Sequence, residues 1–119
     1  MTGPRTSCNR GDVVLVLFPH SNLRGAGPRP ALVVQADNLA TGLTRVIVGM
    51  ITSRLFRANH LSRVTVLLST SEGQQSGLLT DSVVMTDNLA TIAETEIDRI
   101  IGVLPMSKVD AALRHTLDL

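Results

Sequence analysis

The chain has no tryptophan, no tyrosine, two phenylalanines and one cysteine. A lone Cys8 closes no internal disulfide, and no second Cys or His stands near it at zinc-ligand spacing. Disulfide scaffolds and structural zinc folds are excluded, and a reducing cytoplasm is the expected compartment. Cys8 reads as a spectator thiol in a mobile N-terminal tail. The scarcity of aromatics removes the stacking surfaces that many single-strand and peptide binders use. Long apolar runs are missing too. Val13 to Phe18 is the longest near the start, too short for a signal core or a membrane span. There is no P-loop, no Gly-x-Gly-x-x-Gly and no nucleophile elbow.

What is present points to one folded domain. Of the 119 residues, 44% are apolar and 18% charged, a globular rather than a disordered composition. Residues 1–9 read as a flexible tail and 10–119 as the domain. The net charge of +1 hides a strong segregation. Between residues 20 and 63 stand Arg24, Arg29, Arg45, Arg54, Arg57 and Arg63 against Asp37 alone, a balance of +5. From residue 64 on, three bases face eight acids, a balance of −5. The front half suits a polyanion, and arginine suits bidentate phosphate contact better than lysine does.

The apolar pattern predicts short strands at Val13–Phe18, Ala31–Gln35, Thr44–Ile51, Val64–Leu68, Ser82–Met85 and Ile97–Leu104, the last interrupted by Gly102. The first is apolar on both alternating faces, so it must be covered twice, by a helix, a barrel wall or another subunit. Residues 19–28, 54–63 and 69–77 read as loops. Ser107 with Asp110 reads as a capping-box-like helix start, followed by Val109, Ala112, Leu113, Thr116 and Leu117 at helical spacing. The fold class is mainly β with a C-terminal helix, a small, strongly curved barrel. Asp-Asn-Leu-Ala-Thr occurs at 37–41 and again at 87–91, and both copies read as turns.

Three places could carry chemistry. Arg29 starts the second strand and Thr52 follows the third. If these strands form a hairpin, Arg29, Thr52 and Ser53 share one end of the sheet and make a small phosphate site. The same residues also read as an arginine paired to Asp37 or a carbonyl, beside a turn-capping threonine. Of the three histidines, His20 lies in the first loop, within reach of a substrate there. Phe56, between Arg54 and Arg57, is the plausible stacking residue of the basic loop.

The run Arg10-Gly11-Asp12-Val13-Val14-Leu15-Val16, a glycine-bearing loop, Arg29-Pro30-Ala31-Leu32-Val33-Val34 and Ile51-Thr52-Ser53 resembles the MazF/PemK family of toxin endoribonucleases. Gly77-Leu78-Leu79-Thr80-Asp81-Ser82-Val83-Val84, then Asp87, Thr91-Ile92 and Ile101-Gly102, resembles its later strands. The resemblance implies an SH3-like barrel of the CcdB/PemK type that forms a homodimer. It implies metal-free, cofactor-free, sequence-specific cleavage of single-stranded RNA to 2′,3′-cyclic phosphate and 5′-hydroxyl ends. A cognate antitoxin is the implied protein partner, DNA is bound only by the toxin–antitoxin complex, and no membrane is involved. The family's catalytic Arg and Thr fall on Arg29 and Thr52, and an Asp implicated in some members falls on Asp87. Many members carry an acid about where Arg24 stands, and some an Arg where Met85 stands.

Arg29 suits charge stabilisation of a phosphorane and Thr52 one hydrogen bond to it, with Asp87 or His20 as the base. Arg24, Ser53, Arg54, Phe56 and Arg57 are the expected RNA contacts. Two other readings stay open from sequence: a same-fold toxin that binds a protein such as gyrase, and an inactive member serving as an interaction module.

Overall fold

A computed structural model of the chain describes residues 8–17 and 27–119. The expected tail over 1–9 falls outside them except for Cys8 and Asn9. Six strands are present: β1 (Asp12–Val16), β2 (Arg29–Val33), β3 (Arg45–Thr52), β4 (Arg63–Val66), β5 (Ser82–Ala93) and β6 (Ile97–Val103). Two helices join them, α1 (Ser71–Gln75) and α2 (Ser107–Leu117), with short 3-10 turns at Leu55–Arg57 and Glu94–Glu96. All the pairings are antiparallel, in the order β4-β5-β3-β2-β1-β6. The fold is mainly β with a C-terminal helix, as expected.

The barrel is not closed, because β4 and β6 are the two edges of the sheet. The gap is filled by packing instead of ladder bonds. Val66 of β4, Leu78, Leu104 and Val109 of α2 share one buried cluster with Val13, Leu32, Ile51 and Val84. The sheet's other face holds a second core of Val14, Val16, Ala31, Val33, Val46, Val48 and Ile92. Alternating side chains of β1 thus serve two cores, which explains its double apolar face. Cys8, Met50, Ala90 and Ile97 pack around the second core. Cys8 is therefore half-buried instead of loose, and burial pushes its thiol pKa up.

Three local expectations are corrected. First, β5 runs on through the second Asp-Asn-Leu-Ala-Thr segment, which is strand and not turn. Residues Leu89–Ala93 pair with Gly49–Arg45 of β3, and the register slips between Gly49 and Met50. Thr86, Asp87 and Asn88 form the extra length there, so the turn-prone pair makes a bulge inside a strand. The first copy does turn, with Asn38 and Ala40 at positive φ. Second, residues 69–77 contain α1, whose Thr70 Oγ1 accepts the Gly73 N–H at 3.0 Å. Third, no capping box starts α2. Ser107 is already helical, and the Asp110 carboxylate goes to Arg10 instead.

That ion pair explains Arg10. Its Nε also donates to the Val34 carbonyl at 3.0 Å, and its amide donates to Asp37 Oδ1 at 2.7 Å. One residue therefore ties β2, the β2–β3 turn and α2 together. The Asp12 carboxylate accepts the Asn9 amide at 2.8 Å. The Arg-Gly-Asp segment thus helps hold the fold.

Candidate active site

Strand register decides which side chains meet. Ala31, Leu32 and Val33 pair with Met50, Gly49 and Val48. Continued by two residues, this register sets Arg29 across from Thr52. On its other side Arg29 pairs with Val16 of β1. Val16 in turn pairs with Ile97 of β6, whereas Leu15 pairs with Arg99, so Asp98 is an extra residue bulged out of β6. The ends of β3, β2, β1 and β6 thus form one row across the sheet.

Above this row lies a cavity of about 680 Å³. Arg29, Thr52, Ser53 and Arg54 line it together, joined by Thr80, Ser82, Asp98 and Arg99. Its apolar wall includes Leu15, Ile51, Leu78, Leu79 and Ile101. The segment between α1 and β5 is held firmly. The Ser76 hydroxyl donates to the Gly73 carbonyl and accepts the Leu78 amide, while Asp81 accepts the Leu68 amide at 2.7 Å. Buried Leu78 anchors it and leaves Leu79 91% exposed at the cavity mouth.

Among the described residues Arg29 enters no ion pair and no side-chain hydrogen bond. The alternative pairing with Asp37 does not form, because Asp37 holds the Arg10 amide. Arg29 is exposed, so its forked donors face the cavity's solvent. Thr52 Oγ1 accepts the Arg54 amide at 3.1 Å. That contact uses a lone pair, so the hydroxyl hydrogen is left to donate to a ligand. A guanidinium beside a hydroxyl donor is a receptor for a tetrahedral oxyanion.

Other expected residues lie elsewhere. Phe56 is 76% exposed on the 3-10 turn, with the Arg57 guanidinium 5.6 Å from its ring centre, and neither lines the cavity. Asp87 does not line it either. Both its oxygens accept from Arg63, at 2.8 and 2.6 Å, and Arg63 also donates to the Arg57 carbonyl. The structure brings Asp87 to the basic loop, which it pins. Met85 is buried, away from the cavity. His20 and Arg24 lie outside the described residues. The reading from sequence missed Asp98, Arg99 and Leu79. Strand periodicity marks β6 but not that it lies beside β1, and only that pairing brings Asp98 to Arg29's end of the sheet.

The Arg63 guanidinium holds the Asp87 carboxyl below the usual carboxylate range. A folded pKa below the unfolded one, about 3.9, adds stability above that pH and loses it as pH falls. Asp87→Asn should melt below wild type at pH 7, with the gap closing as pH drops through about 4. Melting curves of both proteins across pH check this; parallel curves would dismiss the pair as a stabilising contact.

The model of the PemK-like, MazF-like toxins of type II toxin–antitoxin systems matches residues 9–117. The chain belongs to this family. Solved structures agree with the toxin's fold. It is similar to an endoribonuclease in complex with its cognate antitoxin from a mycobacterial species, with 22% identity, a TM-score of 0.72, and 95% of this chain and 97% of that one covered. It is similar to the Mycobacterium tuberculosis toxin MazF-mt6, at 25% identity and a TM-score of 0.69 over 91% of this chain and 97% of that one. The Deinococcus radiodurans MazE–MazF structure matches at 20% identity and a TM-score of 0.68, over 97% and 99% of the two chains. A search of curated proteins by sequence gave no match. No described helix of the toxin is long and apolar enough to cross a membrane.

Proposed function

We propose that this toxin is a sequence-specific, metal-independent endoribonuclease that cuts single-stranded RNA through the ribose 2′-hydroxyl. The observation that carries this is the Arg29 guanidinium, in no ion pair among the described residues, set across from the Thr52 hydroxyl in one open cavity. Cleavage forms a bond from the 2′-oxygen to phosphorus and breaks the bond to the 5′-oxygen. The products are a 2′,3′-cyclic phosphate and a 5′-hydroxyl. The phosphorane between them carries more negative charge on its non-bridging oxygens than the diester does. Arg29 faces those oxygens with a fixed charge and forked donors, the part a metal ion plays elsewhere. Thr52 adds a neutral donor to the same oxygens.

Ser53 and Arg54 extend the polar wall along the segment that follows the end of β3 and are proposed to follow the RNA backbone. Arg57, Phe56 and Arg24 are assigned to flanking nucleotides. His20, nine residues before Arg29 in sequence, is proposed to contact the substrate from the first loop. Asp87, committed to Arg63, is assigned a structural part. The mycobacterial endoribonuclease similar in fold was solved with its cognate antitoxin. A cognate antitoxin is proposed here as well, as an acidic segment that folds onto the basic front of the chain. The working form is proposed to be a cytoplasmic homodimer that meets DNA only within the toxin–antitoxin complex.

Incubating purified protein with a long single-stranded RNA in EDTA, and mapping the fragment ends, tests this reading. Discrete cuts at a shared short sequence, with 5′-hydroxyl ends, are expected. Intact RNA would favour a toxin acting on a protein target.

A further inference from the structure

Arg29 and Thr52 supply charge and a donor, but neither can accept the proton of a 2′-hydroxyl: an arginine stays protonated, and a threonine hydroxyl is no base at neutral pH. Asp87 is occupied by Arg63 and stands outside the cavity. Among the described residues that line the cavity, one carboxylate is present, Asp98.

Its position is unusual for a strand residue. Leu15 pairs with Arg99 and Val16 with Ile97, so Asp98 has no partner across the ladder. A bulge of this kind turns one side chain out of the alternating pattern, and bulges gather next to active sites for that reason. The row across the sheet reads Thr52, Arg29, Val16 and then the Asp98 bulge. Asp98 is two strand spacings from Arg29, about 10 Å between backbones, with Thr52 on the opposite flank. In-line displacement at phosphorus puts the attacking and leaving oxygens on opposite sides of the bound group. A carboxylate on one flank of Arg29 meets that demand. Asp98 is exposed, and among the described residues its ion pair is with the neighbouring Arg99 guanidinium at 3.5 Å, which leaves oxygen lone pairs open to the cavity.

We infer that Asp98 is the general base of the toxin. Its carboxylate takes the 2′-hydroxyl proton as the 2′-oxygen bonds to phosphorus. The bond to the 5′-oxygen then breaks, and that oxygen leaves with a proton supplied by water. Asp98 returns its own proton to solvent, so the cycle needs no other reactant. This assignment rests on the proposed RNA cleavage.

Single-turnover cleavage of an RNA carrying one mapped site, followed from pH 4 to 9, tests the inference with wild type, Asp98→Asn, Asp98→Glu and, as a remote charge control, Asp118→Asn. The wild-type rate should rise on an acid limb with slope one. Asp98→Asn should lose roughly 10²-fold in rate and lose that limb. Asp98→Glu should keep the limb and recover part of the rate. Asp118→Asn should match wild type. Binding of the same RNA with a 2′-deoxy nucleotide at the cut should change less than twofold in Asp98→Asn. An Asp98→Asn rate within twofold of wild type, or a lowered rate on an unchanged pH profile, would overturn the assignment while leaving the endoribonuclease reading intact. Failure of wild type itself to cut would overturn both.

Discussion

Arg29→Ala should lower RNA cleavage by roughly 10²- to 10³-fold, the loss seen when one preorganised oxyanion donor is removed. Stability should hold within about 0.5 kcal/mol, because the side chain is exposed and forms no ion pair or hydrogen bond with another described side chain. Arg29→Lys separates two contributions. It keeps the charge but loses the forked donors, so it should recover only a minor part of the rate. Single-turnover rates with saturating protein, alongside melting curves, check both variants. If the charge alone mattered, Arg29→Lys would cleave like wild type. If Arg29 held the fold, the alanine variant would melt early.

The second large effect is predicted for two glycines far apart in sequence. A Cβ at Gly102 would strike the backbone of Gln75 and Ser76, and a Cβ at Gly77 would strike the backbone of Ile101. Gly77 also sits at φ +74°, where other residues are strained. The end of α1 and strand β6 thus touch backbone to backbone, which closes part of the gap left by the open sheet. Gly77→Ala should cost roughly 2–5 kcal/mol, from overpacking plus left-handed strain. In a domain this size that is a fall in Tm of roughly 10–20 °C. Gly102→Ala carries the overpacking alone and should cost roughly 1–3 kcal/mol. Both variants should also lose activity below their melting points, because Gly77–Thr80 and the residues Asp98, Arg99 and Ile101 line the cavity. A Gly102→Ala protein with wild-type Tm and rate would mean that these segments part easily.

The two glycines also show where sequence reading stops. Gly102 was visible as an interruption in an apolar strand, but its reason is a helix end about 25 residues away in the chain. The same limit hid the rest of the site. Arg29 and Thr52 were legible because a hairpin between consecutive strands is local, and its register follows from two apolar runs. Asp98 was not, because β6 pairs with β1 across most of the chain. Asp87 read as a turn residue, and its Asp-Asn pair does break the pairing of β5 with β3. Its partner Arg63, on the neighbouring strand β4, was out of sight. Five-residue α1 has too few positions to show a helical period and is held by its Thr70 cap and the packing of Gly73. In each of these places the partner was fixed by the sheet.

The central claim is that RNA is cut at the Arg29 cavity by its own 2′-hydroxyl. Its most direct test is cleavage, in EDTA, of two RNAs that differ by a single 2′-deoxy substitution on the nucleotide 5′ to the mapped cut. Wild-type protein should cut the all-ribose strand to a 2′,3′-cyclic phosphate and leave the substituted position intact. Cleavage at the deoxy position, releasing a 5′-phosphate, would contradict it.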